Sequence, residues 1–352
     1  MYCSAPFTSC EIKTNGLISY CCVSNDPLGN YINDSKLVQG RQSIIDGKIL
    51  KGCNRCFNKT FTTVRETLTK NYPIKSMPTS VLNLLDIQYI DVRMGNVCNF
   101  TCLMCGPNDS HLWGSLVGRS NVLIDWEDED KIINFIKSCK NLKTINFAGG
   151  EPFYNLKRLY KILSVLDRSV KIKFITNVSV YNKDCIKILN EFSGQLNCSL
   201  DGIGRFAETQ RFRSNWKQVE SNFKNFCKNL NDDWNIQIAS TWTIFNIFGA
   251  KEFTDWIDNI NKKRTVHFNY TFCDYPEFMS IYSLSPKQRK KIAKSINGYK
   301  DFKKGICANV PNDKNNIFKI QKFIETFEEK TNFNIHTSIP ELREVLHVTD
   351  SP

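Results

Sequence analysis

The stretch Ile87-Gln88-Tyr89-Ile90-Asp91-Val92-Arg93-Met94-Gly95-Asn96-Val97-Cys98-Asn99-Phe100-Thr101-Cys102-Leu103-Met104-Cys105 decides the reading of this chain. Its first part, Ile87 to Arg93, is rich in β-branched and aromatic residues and reads as a strand. Its second part carries three cysteines as C-x3-C-x2-C. That spacing lets Cys98, Cys102 and Cys105 hold three corners of one iron–sulfur cube and leave the fourth iron open for a ligand. A zinc knuckle or a set of buried thiols is the plainer alternative, because any C-x2-C pair can hold zinc and free Cys is often buried.

From Ile87 onward, short apolar runs alternate with amphipathic stretches, the pattern of repeated βα units around a parallel sheet. Strands are expected near Ile87 to Arg93, Lys143 to Phe147, Lys171 to Thr176, Leu196 to Leu200, Asn235 to Thr243 and Val266 to Thr271. Helical periodicity falls between them, near His111 to Gly118, Asp130 to Cys139, Leu156 to Leu166, Lys183 to Phe192, Trp216 to Leu230 and Ala250 to Ile260. Residues 1–75 form a Cys-rich segment, 76–86 a linker, 87–273 the repeated units and 274–352 a helical extension. In that extension Pro286 marks a helix start and Ile317 to Thr331 is amphipathic.

Further motifs stand where the presumed strands end. Phe147-Ala148-Gly149-Gly150-Glu151-Pro152 follows the second strand, Thr176-Asn177 the third and Ser199-Leu200-Asp201-Gly202 the fourth; Thr241 to Asn246 lies at the fifth. With the C-x3-C-x2-C triad and Arg211 in Glu208-Thr209-Gln210-Arg211, this order resembles the radical S-adenosylmethionine (radical SAM) enzymes. Each piece taken singly reads equally as a turn, a cap or a surface ion pair.

The resemblance implies an α/β fold, a partial (β/α)6 TIM-like barrel with its active site at the C-terminal ends of the strands. It also implies that a [4Fe-4S] cluster on Cys98, Cys102 and Cys105 cleaves S-adenosylmethionine to a 5′-deoxyadenosyl radical. Gly149, Gly150, Glu151, Pro152, Thr176, Asn177, Ser199, Asp201, Arg211, Thr243 and Asn246 then surround the SAM. Glycines allow the close backbone approach such a ligand needs, and an Arg fork suits its carboxylate. Cys273, just past the sixth strand, is a candidate hydrogen-atom donor, against the plainer reading of a buried thiol.

The N-terminal segment carries Cys3, then Gly16 and Cys21-Cys22, then Cys53-Asn54-Arg55-Cys56. These elements resemble the twitch or SPASM modules that hold an auxiliary cluster, although such modules usually follow the barrel. Cys3, Cys21, Cys53 and Cys56, with Cys22 as the alternative to Cys21, would complete a second [4Fe-4S] cluster or a structural zinc. Cys10, Cys139, Cys185, Cys198, Cys227 and Cys307 read as fillers. Among the four histidines, His111, His267, His336 and His347, none stands in a nucleophile pattern; His267 sits on the sixth strand.

The chain's 352 residues, 41% hydrophobic and 23% charged, exceed one average domain and suit a soluble globular protein. No apolar run is long enough to span a membrane, and the N-terminus lacks the marks of a signal peptide, so a cytoplasmic protein is expected. Fifteen cysteines in that compartment point to metal, cluster or catalytic thiols. The charge of +12 is scattered; Lys287-Gln288-Arg289-Lys290-Lys291 and Lys262-Lys263-Arg264 read as solvated helix faces or turns. That leaves nucleic acid an unfavoured partner. The expected substrate is a peptide or protein, with a nucleotide or aminosugar second and a non-catalytic iron–sulfur or electron-transfer protein third. A flavodoxin or ferredoxin would be the reductant.

Overall fold

The computed structural model describes residues 3–57, 64–74, 86–310 and 315–346. The expected linker lies outside them except for Asp86. In chain order the strands are β1 (Ser9–Ile12), β2 (Ile18–Ser19), β3 (Tyr89–Arg93), β4 (Thr101–Cys102), β5 (Thr144–Ala148), β6 (Lys171–Thr176), β7 (Gly194–Cys198), β8 (Arg211–Phe212), β9 (Trp234–Trp242) and β10 (His267–Phe272). Eight of them form a mostly parallel sheet in the order β10-β9-β7-β6-β5-β3-β1-β2, and β4 pairs with β8. The α/β class and the helical C-terminal extension are as expected.

All six strands read from the sequence are present, with β7 starting two residues early and ending before Leu200. Two further strands come from the N-terminal segment: β1 runs parallel to β3, and β2 closes antiparallel on β1. At four and two residues they are too short to show periodicity, and their pairing depends on β3, about 80 residues away in sequence.

The chain divides into two compact units. Residues 1–97, 123–175 and 183–195 make the first. Its register stacks Ile90, Ile145 and Ile172 in one row and Val92, Phe147 and Phe174 in another, all fully buried. Successive residues point to opposite faces, so the row between them, Glu11, Asp91, Asn146 and Lys173, lies on the other face and is polar. There Asn146 Nδ2 donates to Asp91 Oδ1 at 3.0 Å, Arg93 Nε donates to Glu11 Oε1 at 3.0 Å, and Lys13 pairs with Glu11. Burial pushes the Asp91 carboxyl up, and Arg93 partly offsets this.

Residues 98–122, 176–182 and 196–352 make the second unit. In it β9 and β10 run parallel from Gln237 and His267 to Trp242 and Phe272. His267 is exposed. Trp242 packs on Phe253 and Phe302, with centroids 5.7 and 5.0 Å away, and Phe302 stacks on Phe272 at an interplanar angle of 4°. These contacts fasten the Ala250–Asn261 and Lys300–Ile306 helices to the strands. The expected helix starts are also present, as Pro286–Ser295 with a full capping box and as Asn315–Thr331.

The alternation along β6 makes a direct prediction. Phe174 is fully buried, with Phe147 and Phe153 centroids 5.0 and 4.7 Å from its ring, whereas Ile175 is 44% exposed. Phe174→Ala should cost about 3–5 kcal/mol in urea unfolding, and Ile175→Ala less than about 1 kcal/mol. Equal costs would contradict the assigned faces.

Candidate active site

The three cysteines of the C-x3-C-x2-C motif lie on a tightly held loop of the second unit. Cys98 N–H donates to His111 Nδ1 at 3.2 Å, Ser110 Oγ donates to the Phe100 carbonyl at 2.8 Å, and Trp113 Nε1 donates to the Cys102 carbonyl at 2.8 Å. A one-turn bond from Cys105 N–H to the Cys102 carbonyl, 2.9 Å, sets the C-x2-C spacing. The pairing of β4 with β8 brings Cys102 opposite Arg211, and Leu103 N–H donates to the Gln210 carbonyl at 2.9 Å. His111, Trp113 and Ser110 are the residues that sequence reasoning missed. Their signal was the helix starting at His111, directly after the motif.

Charge and burial converge on these sulfurs. Burial pushes the Cys102 and Cys105 thiols up, and Arg211 pulls Cys102 back down. Arg211 Nη1 is 3.7 Å from Cys102 Sγ, and its Nη2 pairs at 2.8 Å with Asp201, whose side chain is fully buried. Arg211 Nε is buried without a hydrogen-bond partner. Asn177 Nδ2 lies 3.8 Å from Cys98 Sγ and donates to Asn99 Oδ1 at 3.0 Å. Among the described residues no three His, Cys, Asp or Glu side chains converge at the spacing of a single metal ion.

The other expected residues of this unit divide by how their polar atoms are used. Thr176 Oγ1 accepts from Val178 N–H at 3.0 Å, the Thr176 carbonyl accepts from Ser199 N–H at 2.8 Å, and Asp201 Oδ1 accepts from Thr241 N–H at 2.7 Å. Val178 sits at φ +63, a strained position for a β-branched residue, with its carbonyl held by Asn222 Nδ2 at 2.9 Å. Thr243 donates to Gln210 Oε1 at 2.7 Å, and Asn246 Nδ2 donates to the Asp201 and Thr241 carbonyls at 2.8 and 2.9 Å. Both are fully buried, so they brace the loops that carry Asp201 and Arg211. Cys273 is buried, with its sulfur 3.2 Å from the Tyr275 carbonyl.

In the first unit, Cys3 and Cys21 pack beside Ala5, Leu68 and Tyr72. Burial pushes Cys3 up to about 11, and Cys53 and Cys56 add to the rise. Cys21 is raised chiefly by burial, with Cys22 and Cys3 among its neighbours. The charges acting on Cys22 are those of Asp91, Glu11, Arg93 and Lys13 instead. Of the two adjacent cysteines, Cys21 lies near Cys3 and Cys22 near Asp91 and Glu11. A cavity of about 420 Å³ opens beside Cys3 and Cys53, walled by Pro6, Ile44, Leu50 and Phe57.

The Gly-Gly-Glu-Pro turn belongs to the same unit. Gly149 adopts φ +105, and a Cβ on Gly150 would stand 2.1 Å from the Val97 carbonyl oxygen. The loop after β3 can therefore lie directly against this turn, with Gly150 N–H donating to the Gly95 carbonyl at 3.0 Å and Glu151 N–H to the Val97 carbonyl at 2.8 Å. Glu151 Oε1 caps the following turn at Phe153 N–H, 3.2 Å, and Pro152 begins that turn. Arg158 braces the β3 loop from behind. It pairs with Asp125 and Glu129, each at 2.6 Å, lies 4.2 Å from the Trp126 ring centroid, and donates to the Met94 carbonyl at 3.3 Å.

This packing predicts that Gly150→Ala lowers unfolding stability by about 1–3 kcal/mol. Gly106→Ala should change it by less than about 0.5 kcal/mol, because a Cβ there would meet nothing within 4 Å. Urea titration of both variants checks the difference.

Residues 92–259 match the radical SAM superfamily. The chain is 26% identical over 122 residues to a GTP 3′,8-cyclase of Campylobacter lari, covering 33% of this chain and 35% of that one. It is 28% identical over 123 residues to a GTP 3′,8-cyclase of Aliarcobacter butzleri, covering 34% and 36%. The matches thus span about a third of those relatives' length. A solved structure of native anSMEcpe with bound AdoMet is similar at a TM-score of 0.46 and 17% identity, over 62% of each chain. Among the described residues no helix is long and apolar enough to cross a membrane. Residues 92–259, which carry the cysteine loop and the strands that follow it, are thus similar to the radical SAM superfamily over just under half of the chain.

Proposed function

We propose that this chain is a radical SAM enzyme acting on a peptide or protein, with a [4Fe-4S] cluster on Cys98, Cys102 and Cys105. The supporting observation is the cysteine loop itself: three sulfurs held by backbone and side-chain bonds, with Arg211 acting electrostatically on all three. The cluster and S-adenosylmethionine, when bound, would supply one-electron cleavage of the sulfonium and hydrogen abstraction from the substrate by the 5′-deoxyadenosyl group.

The chain's residues then have distinct tasks. Arg211 keeps one free donor, Nε, for an anionic group such as the SAM carboxylate, while Asp201 fixes the plane of its fork. Asn177, anchored on Asn99, offers its amide beside Cys98. Gly149, Gly150 and Glu151 shape the turn against the β3 loop in the first unit, and Thr176 and Ser199 tie their two loops together in the second. Cys3, Cys21, Cys53 and Cys56 would hold an auxiliary [4Fe-4S] cluster beside the apolar cavity of the first unit. A peptide substrate is favoured by that second cysteine set and by the net charge of +12. A nucleotide substrate is the second reading, supported by the two GTP 3′,8-cyclase relatives.

Anaerobic incubation with SAM and dithionite or reduced flavodoxin should release 5′-deoxyadenosine. Arg211→Lys, which keeps the charge and loses the fork, should weaken SAM binding by about 10- to 100-fold. No release by the reconstituted wild type would overturn the enzyme reading. Deuterium transfer into 5′-deoxyadenosine from a labelled peptide, rather than from labelled GTP, separates the two substrates.

A further inference from the structure

A basic groove of about 950 Å³ lies within the second unit, among the Pro286–Ser295, Asn315–Thr331 and Glu341–Leu346 helices. Lys287, Lys290, Lys291 and Lys294 line it, with the apolar Ile317 and Val345 beside them and, among the described residues, Glu344 as the one carboxylate. All four lysines are exposed, and among the described residues none has a carboxylate within ion-pair distance. Some surface lysines elsewhere are paired: Lys161 with Glu129, Lys187 with Asp184, Lys224 with Glu220 and Lys251 with Asp255. The helix is anchored independently of these lysines. Arg289, on its buried side, donates to the Leu284, Ile306 and Ala308 carbonyls, and Ser285 with Gln288 caps its start.

We propose that this groove docks an acidic segment of the peptide or protein substrate; the inference rests on the peptide reading above and adds where the substrate is held. Four unpaired ammonium groups in one concavity leave a positive field that carboxylates would neutralise. Ile317 and Val345 give the aliphatic stems of such side chains an apolar surface. Nucleic acid fits less well, because among the described residues the lining offers no aromatic face for a base to stack on, and it includes a carboxylate, Glu344. The volume is at the upper end of small-ligand clefts, roughly 300–1,000 Å³, which suits a short stretch of chain. Holding the substrate by a segment remote in sequence from the reacting residue would also relax what that residue must look like.

Fluorescence anisotropy at low salt, with a fluorescein-labelled peptide of alternating Glu and Ala, tests this on the full chain. One variant carries Lys287→Glu, Lys290→Glu, Lys291→Glu and Lys294→Glu. A control carries Lys217→Glu, Lys228→Glu, Lys262→Glu and Lys263→Glu, the same charge change at exposed lysines outside the groove. The groove variant should bind at least about tenfold more weakly, and the control within about twofold of wild type. A version with Gln at the four groove positions guards against misfolding of the charge-reversed protein and must weaken binding as well. Equal loss in groove variant and control would reduce the effect to bulk charge and overturn the proposal. Tighter binding of a labelled single-stranded oligonucleotide, lost in the groove variant, would overturn the peptide assignment. Release of 5′-deoxyadenosine, read on the same samples, reports the catalytic reading separately: peptide bound through the groove without release removes that reading and leaves this one.

Discussion

The close approach of two loops, made possible by the missing side chains at Gly149 and Gly150, is the constraint on which the rest depends. Strands β3 and β5 are parallel neighbours, and where they end Met94 N–H donates to the Ala148 carbonyl, after which Gly150 and Glu151 donate to Gly95 and Val97. The β3 loop has no freedom beyond that point, since Arg158 and Trp126 hold it from the other side through the Met94 and Arg93 carbonyls. The cysteine motif begins at the next residue. A Cβ at position 150 would stand 2.1 Å from the Val97 carbonyl oxygen and disrupt these bonds.

The cysteine loop solves a second physical problem. Buried thiols resist ionisation, yet thiolates are what bind iron. A nearby guanidinium lowers that cost, and β8 carries Arg211 directly opposite Cys102. Arg211 would itself be expensive to bury unpaired, which explains the fully buried Asp201 on its other side. Thr243, Asn246 and Gln210 then brace that pair. The polar ends of the strands thus form one connected arrangement, in which each charged group is required by the one before it.

Much of this was legible in the sequence because it rests on local patterns. The six strands from Ile87 onward alternate or run apolar over five to nine residues, and Pro152 and Pro286 mark a turn and a helix start by their own chemistry. What stayed hidden depends on partners far away in sequence. Four-residue β1 is a strand only because β3 lies beside it. His111 had no recognisable role as a lone histidine, since its task is to accept a backbone N–H from Cys98. The surroundings of Cys21 and Cys22 could not be read from adjacent identical residues: Cys21 lies near Cys3, and Cys22 near Asp91 and Glu11.

The central claim is that two separate cysteine sets each hold a four-iron cluster. It is tested most directly by iron and acid-labile sulfide per chain, with EPR of the reduced protein, after anaerobic reconstitution of the wild type and of the Cys98→Ala, Cys102→Ala, Cys105→Ala variant. About eight irons in the wild type, falling to about four in the variant, is the expected result. Near-zero iron in the wild type would contradict the account.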